Sequence, residues 1–231
     1  MNATSSTARG MVARGRKSIV REYAEVLLLA FLLTVFIRSF VVQAFRIPSG
    51  SMENTLLVGD FLFVNKFLYG ARVPYTDIQL PAIRAPHRGD IMVFKFPEDQ
   101  TKDFIKRLIG QPGDTLEIRD KHVWINGRPL DEPYVRFMNE RIRPRSWEEP
   151  NVVPAHAGNK DNFGPVVVPP GHYFMMGDNR DNSADSRYWG FLDGELIKGR
   201  AILIYWSWNP DQKLAGFFPT PRLNRIGRII R

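Results

Sequence analysis

The sequence predicts a mainly β domain behind one apolar, helix-like segment. Short stretches of β-branched and aromatic residues recur along residues 60–206, separated by Gly, Pro and Asn/Asp turn signals. A single apolar run, residues 26–37, is broken only by Thr34. Residues 139–165 are rich in Pro, Arg, Glu and Asn and lack apolar periodicity, so they read as a surface loop or small cap. About 190 residues follow the apolar run, enough for one well-cored domain. Together these features describe an antiparallel, curled all-β domain.

Residues 1–21 carry Arg9, Arg14, Arg16, Lys17 and Arg21 and read as a basic N-terminus. Residues 22–42 are expected to form a transmembrane helix, with Glu25 and Arg38 near the ends, where long side chains reach the headgroups. The excess of basic residues ahead of it puts the N-terminus in the cytoplasm and residues 43–231 outside. Two other readings stay open: a signal peptide cleaved after Val42-Gln43-Ala44, and a buried core helix. Arg38 ahead of the cleavage site weighs against the first, and the lack of a polar face against the second.

Strands are expected at 60–65 and at 90–96, the latter ended by Pro97. Residues 102–109 alternate less cleanly and stop at Gly110, Pro112 and Gly113. Residues 115–118 and 122–125 flank a short turn, and Asn126-Gly127 marks another. Residues 166–168, 172–176 and 200–206 complete the set.

Composition excludes some chemistry. With no cysteine there is no disulfide framework, thiolate metal site or catalytic thiol. The net charge of +8 invites a nucleic-acid reading, but no nucleic-acid motif accompanies it. Arg222, Arg225, Arg228 and Arg231 read as a solvated tail or as contacts to anionic lipid.

Ser51, in Pro48-Ser49-Gly50-Ser51-Met52, is a hydroxyl on a polar turn shortly after the apolar run. A serine nucleophile needs a base within hydrogen-bond reach. His87, His122, His156 and His172 lie in loops or strand-like hairpins, none in a recognisable triad setting. No His-Glu-x-x-His or paired-ligand spacing exists, so no metal site is expected. Lys106 is the other candidate base; on a strand it shares a face with Phe104, with Ile105 on the other. A solvated surface lysine is the competing reading. Residues 177–187 form a dense polar stretch. A calcium loop starting at Asp178 would need Gly and Glu where Ser183 and Trp189 stand, so that reading fails. A turn-rich loop remains, which also suits a hydroxyl and acid–arginine pairs beside an active site.

Four blocks in order carry a resemblance. They are Pro48-Ser49-Gly50-Ser51-Met52 with Thr55-Leu56 and Gly59-Asp60; Arg88-Gly89-Asp90-Ile91 with Val93-Phe94; Lys106-Arg107 with Gly110 and Pro112-Gly113-Asp114; and the run from Gly177 to Arg187, continued by Tyr188-Trp189-Gly190. Behind an apolar segment, this set resembles bacterial type I signal peptidase, a membrane-bound serine–lysine endopeptidase. The resemblance implies Ser51 as nucleophile, Lys106 as general base, Ser49 in the oxyanion hole and Ser183 as the hydroxyl that orients the lysine. Asp178, Asp185, Arg107 and Arg187 would brace the site. A substrate strand would lie between residues 45–49 and 103–105, with Phe45, Ile47, Val93, Phe104 and Ile105 forming the binding surface and preferring Ala-x-Ala ahead of the cut. It also implies two antiparallel sheets, a small β cap within 114–170 and an apolar surface resting on the bilayer. The implied location is the bacterial cytoplasmic membrane. Signal-peptide-bearing preproteins, the lipid bilayer and the secretion translocon are the implied partners, with no cofactor. A related Ser/Lys peptidase dedicated to one secreted or conjugative protein is the alternative reading.

Overall fold

A computed structural model describes residues 19–36, 42–70, 80–214 and 216–231. The chain divides into two units, one ending at Ile37 and one beginning at Arg38.

The described part of the first unit is a helix, α1 (Ile19–Phe36), with Arg21 Nε bonded to Glu25 Oε1 at 2.9 Å. From Ile19 to Val35 its large apolar side chains are solvent-facing, from Val35 at 46% exposure to Val20 at 77%. No described helix is long and apolar enough to cross a membrane. The reason is local: Arg21, Glu22 and Glu25 occupy the first two turns, so the uncharged stretch falls short of the ~20 residues that a span requires. The segment expected to span, 22–42, is helical to Phe36; residues 37–41 lie outside the described residues, and Val42 already belongs to a strand.

In chain order the second unit carries β1 (Val42–Arg46), β2 (Asp60–Asn65), β3 (Ile91–Phe96), β4 (Asp99–Gly110), β5 (Thr115–Arg119), β6 (His122–Ile125), β7 (Arg128–Pro129), β8 (Phe163–Val167), β9 (His172–Met176), a short helix α2 (Ser186–Trp189), β10 (Leu192–Asp193), β11 (Ile197–Leu214), β12 (Phe218–Pro221) and β13 (Arg228–Ile229). Among the described residues these make two sheets. The larger runs β1-β2-β11-β3-β4-β9-β10, with β12 and β13 also paired to β11. The smaller runs β7-β6-β5-β8 and falls within residues 114–170. The strand pairs are antiparallel, as the short Gly/Pro connections imply.

The turns follow residue chemistry. Asp120 and Lys121 (φ 47° and 71°) join β5 to β6, and Asn126 and Gly127 (φ 51° and 76°) join β6 to β7. Both are left-handed pairs of the kind that matches strand twist. β4 begins at Asp99, three residues before the expected start, because it folds straight back on β3 after Pro97 and Glu98. β12 escaped the sequence reading because Pro219 and Pro221 mark it as a non-strand. It is an edge strand, where a missing N–H is tolerated.

One apolar core, including Ile47, Met52, Leu56, Leu62, Val93, Ile105, Ile204 and Ile230, lies under the larger sheet. A second, around Leu116, Ile118, Val123, Phe163 and Phe174, lies against the smaller one. The C-terminal arginines are not all a solvated tail. Arg225 is buried and bonds Asp60 through Nε (2.9 Å to Oδ1) and Nη2 (2.5 Å to Oδ2), and Asp60 also accepts from Ser207 Oγ at 2.7 Å. Half-buried Arg222 donates to Val58 O at 3.0 Å. Asp60→Ala is expected to cost about 3–5 kcal/mol, since it leaves the Arg225 charge buried alone. A fall in the urea midpoint of the detergent-solubilised chain measures this, and an unchanged midpoint contradicts it.

Candidate active site

The turn that carries Ser51 is built by packing. After the extended Ser49 (φ −131°, ψ 157°) the chain enters a single 3₁₀ turn, Gly50–Met52. Met52 and Leu56 are fully buried and anchor it in the core, and Leu56 N–H closes on Met52 O at 2.8 Å. Ser51 is left 7% exposed.

Lys106 reaches this turn from β4. There Ile105 pairs with Val93 and Lys106 with Met92, so the strand turns Ile105 and Lys106 to opposite faces. Lys106 is 4% exposed, and its Nζ lies 2.7 Å from Ser51 Oγ and 5.4 Å from the centre of the Phe104 ring. Burial pulls the amine down to about 8; the charges of Asp185 and Asp178 oppose this, and Arg187 assists it. An amine with that affinity is neutral in a useful fraction near neutrality, and a neutral amine accepts a proton. Ser49 Oγ lies 3.5 Å from Ser51 Oγ.

The loop after β9 closes the site. Asn179 N–H donates to Ser51 O at 3.1 Å, and its side-chain amide donates to Gly50 O at 3.1 Å. Gly177 permits this approach: a Cβ there would stand 2.3 Å from Ser183 Oγ and 2.5 Å from Ser51 O. Asp185 caps α2 and receives both Nε and Nη2 of Arg187 at 2.8 Å. Burial would raise the Asp185 carboxyl, but Arg187 and the Gly177 N–H hold it below its ordinary range. Asp178 receives Arg107 Nε at 2.8 Å and Nη2 at 2.7 Å. Asp185 therefore stays charged beside the amine and, with Asp178, keeps its affinity from falling further.

Ser51, Lys106, Ser49 and the two acid–arginine pairs thus converge on one place. Two expectations are met differently. The Ser183 hydroxyl is buried in the same loop beside the Asp185 carboxylate, and among the described residues no hydrogen bond joins it to Lys106. Phe45, Ile47, Val93 and Ile105 share one apolar patch, whereas Phe104 lies on the other face of β4, stacked on Phe96 at 4.3 Å. The strand alternation that sends Lys106 toward Ser51 takes Phe104 with it. Among the described residues two sheet edges stay open beside this patch: β1 pairs only with β2, and β9 covers β4 only from Arg107 onward.

His122 and His172 bond within their own turns, to Asp120 O and Pro170 O, and His156 bonds the Glu148 carboxylate eight residues away. Sequence reasoning missed Asn179, whose backbone and side chain both hold the Ser51 turn. It also missed Thr55, whose hydroxyl donates to Asp178 Oδ2 at 2.5 Å. Both lie in the matched blocks, but an Asn or Thr in a turn carries no signal of a partner more than 100 residues away.

Residues 20–206 match the family model described as signal peptidase, peptidase S26. The chain is 37% identical over 235 residues to a signal peptidase I of Pseudomonas fluorescens, covering 93% of this chain and 81% of that protein. It is 35% identical to a signal peptidase I of Pseudomonas aeruginosa with the same coverage, and 37% identical to that of Aquifex aeolicus, covering 83% of this chain and 84% of that protein. A crystal structure of a signal peptidase I from Enterococcus faecalis V583 matches 52% of this chain and 98% of its own at 32% identity, with a TM-score of 0.39. The chain belongs to the signal peptidase family, peptidase S26, and so to the enzymes that hydrolyse peptide bonds.

Proposed function

We propose that this protein is a membrane-anchored serine endopeptidase that removes signal peptides from secreted preproteins, with Ser51 as nucleophile and Lys106 as general base. The observation that carries this reading is the 2.7 Å contact between Lys106 Nζ and Ser51 Oγ on a lysine that is 4% exposed.

The chemistry follows from those two groups. Neutral Lys106 takes the Ser51 proton as Oγ attacks the scissile carbonyl carbon. The resulting oxyanion is held by the Ser51 N–H and the Ser49 hydroxyl. The Lys106 ammonium then returns its proton to the leaving amine, the C–N bond breaks, and the signal peptide stays as an acyl ester on Ser51. Lys106 next deprotonates a water, which attacks the ester, and Ser51 recovers its proton as the peptide leaves. Arg107, Asp178, Asp185 and Arg187 act through position and charge. Ser183 brings a second hydroxyl to the wall of the site.

The substrate adds as an extended strand along the open edges of β1 and β4, with main-chain hydrogen bonds supplying affinity. Phe45, Ile47, Val93 and Ile105 meet its alternate side chains, and their tight packing favours small ones, Ala-x-Ala ahead of the cut. The all-round apolar exposure of α1 between Val26 and Val35 supports a membrane anchor with the basic N-terminus in the cytoplasm and the catalytic domain outside. The secretion translocon delivers such substrates at that surface.

Incubating the detergent-solubilised chain with a preprotein and weighing the products tests the activity: one cut after a small residue is expected, and an intact preprotein contradicts it. The pH profile tests the base. With Lys106 at about 8, kcat/KM is expected to rise tenfold per pH unit up to that value and then level off. At pH 6 it is expected at about one-hundredth of the plateau. A rate flat from pH 5 to 9 contradicts a neutral-lysine base. Ser49→Ala is expected to lower kcat by about 10²–10³ with KM little changed, since the hydroxyl acts on charge present only in the transition state. An unchanged kcat removes Ser49 from the oxyanion site.

A further inference from the structure

Two buried ion pairs meet at one residue behind the nucleophile. Arg107–Asp178 joins β4 to the loop after β9, and Arg225–Asp60 joins the C-terminal segment to β2. The Thr55 hydroxyl donates to Asp178 Oδ2 at 2.5 Å and accepts from Arg107 Nη2 at 3.3 Å. Its carbonyl accepts from Arg225 Nη2 at 3.0 Å, and its own N–H donates to Met52 O at 3.1 Å. One side chain and its backbone are thus tied to both pairs and to the Ser51 turn.

A single 3₁₀ turn does not fix its own position. Met52 and Leu56 hold its apolar side in the core. The polar side is gripped twice by consecutive residues. On β4, Lys106 reaches Ser51 Oγ and the next residue, Arg107, reaches Thr55 Oγ1. In the loop, Asn179 N–H holds Ser51 O and the preceding residue, Asp178, holds Thr55 Oγ1. Ser51 and Thr55 are therefore held as a pair by the same two segments. A shift at Thr55 is transmitted to the gap between Ser51 Oγ and Lys106 Nζ.

We infer that Thr55 is a positioning residue: its hydroxyl locks the nucleophile turn against the Arg107–Asp178 pair and so sets the Ser51–Lys106 contact. The inference rests on the Ser51–Lys106 reading above. A displacement of about 1 Å at the reacting atoms costs as much as 10²-fold in rate. Thr55→Val keeps the shape and removes the hydroxyl, whereas Thr55→Ser keeps the hydroxyl.

The test is steady-state cleavage of a preprotein by the full chain in detergent, with Ser51→Ala as control and urea midpoints measured in parallel. Thr55→Val is expected to lose about 10-fold or more in kcat with KM within about twofold, and Thr55→Ser to keep kcat within about twofold. If Thr55→Val does not fold, Thr55→Ala carries the same expectation. A hydroxyl-free variant with kcat near that of the unmodified chain overturns the inference. So does a loss confined to KM, or an equal loss in Thr55→Ser. If Ser51→Ala cleaves normally, the underlying reading fails; if Ser51→Ala is inactive and Thr55→Val is normal, only the role of Thr55 fails.

Discussion

Ser51→Ala is expected to lower kcat by on the order of 10⁶ while substrate still binds. The substitution removes the only atom that the 2.7 Å contact from Lys106 is aimed at. On the proposed reading, the oxyanion donors and the strand-binding edges would still bind and polarise the peptide, so a small residual rate over water is expected. Ser51 packs in a turn whose stability comes from Met52, Leu56 and the ion pairs behind it. Alanine should therefore leave the fold intact. Rapid loss of activity with an unchanged urea midpoint is the expected combination; activity within tenfold of the unmodified enzyme contradicts a nucleophilic role.

Lys106→Met is expected to act in two opposite directions. Activity falls by about 10²–10⁴, the usual contribution of a general base. Stability at pH 7 rises. Burial lowers the amine from 10.5 to about 8. At about 1.36 kcal/mol per tenfold change in protonation, this corresponds to about 3 kcal/mol. Below pH 8 the lysine is protonated in both the folded and unfolded chain, so folding bears the full cost of burying the charge. Between pH 8 and 10.5 the unfolded chain binds more protons than the folded one, and stability rises with pH. Above 10.5 both forms are neutral and the cost is gone. The methionine variant should thus gain most over the unmodified chain below pH 8 and lose its advantage as pH rises. Denaturation midpoints at pH 6.5 and pH 10 measure this, and equal gains at both contradict it.

The parts of the site that sequence reasoning reached are those written in local chemistry. A Ser/Gly turn, a lysine in an apolar strand and an Asp/Asn/Ser/Arg loop are each visible in a window of about ten residues. Strand alternation was enough to put Lys106 and Phe104 on one side of β4 and Ile105 on the other. It also argues against Phe104 sharing the patch of Ile47, Val93 and Ile105. What remained hidden depends on long-range register. Asp60 and Arg225 are 165 residues apart, and nothing local marks that arginine as buried. Ser183 sits where the loop suggests, but its hydroxyl lies beside Asp185 and makes no bond to Lys106, while the loop's hydrogen bond to Ser51 runs through Asn179. At the N-terminus the apolar run was legible, and the helix it forms carries Arg21, Glu22 and Glu25 in its first turns, so that no described helix is long and apolar enough to cross a membrane.

The central claim is that Lys106 is a base because it is buried against Ser51. The most direct measurement is the titration of its amine by carbon NMR of lysine labelled at the ε carbon, with the Lys106→Met spectrum identifying the signal. A midpoint near 8 is the result that this geometry predicts; a midpoint at the ordinary lysine value of about 10.4 contradicts it.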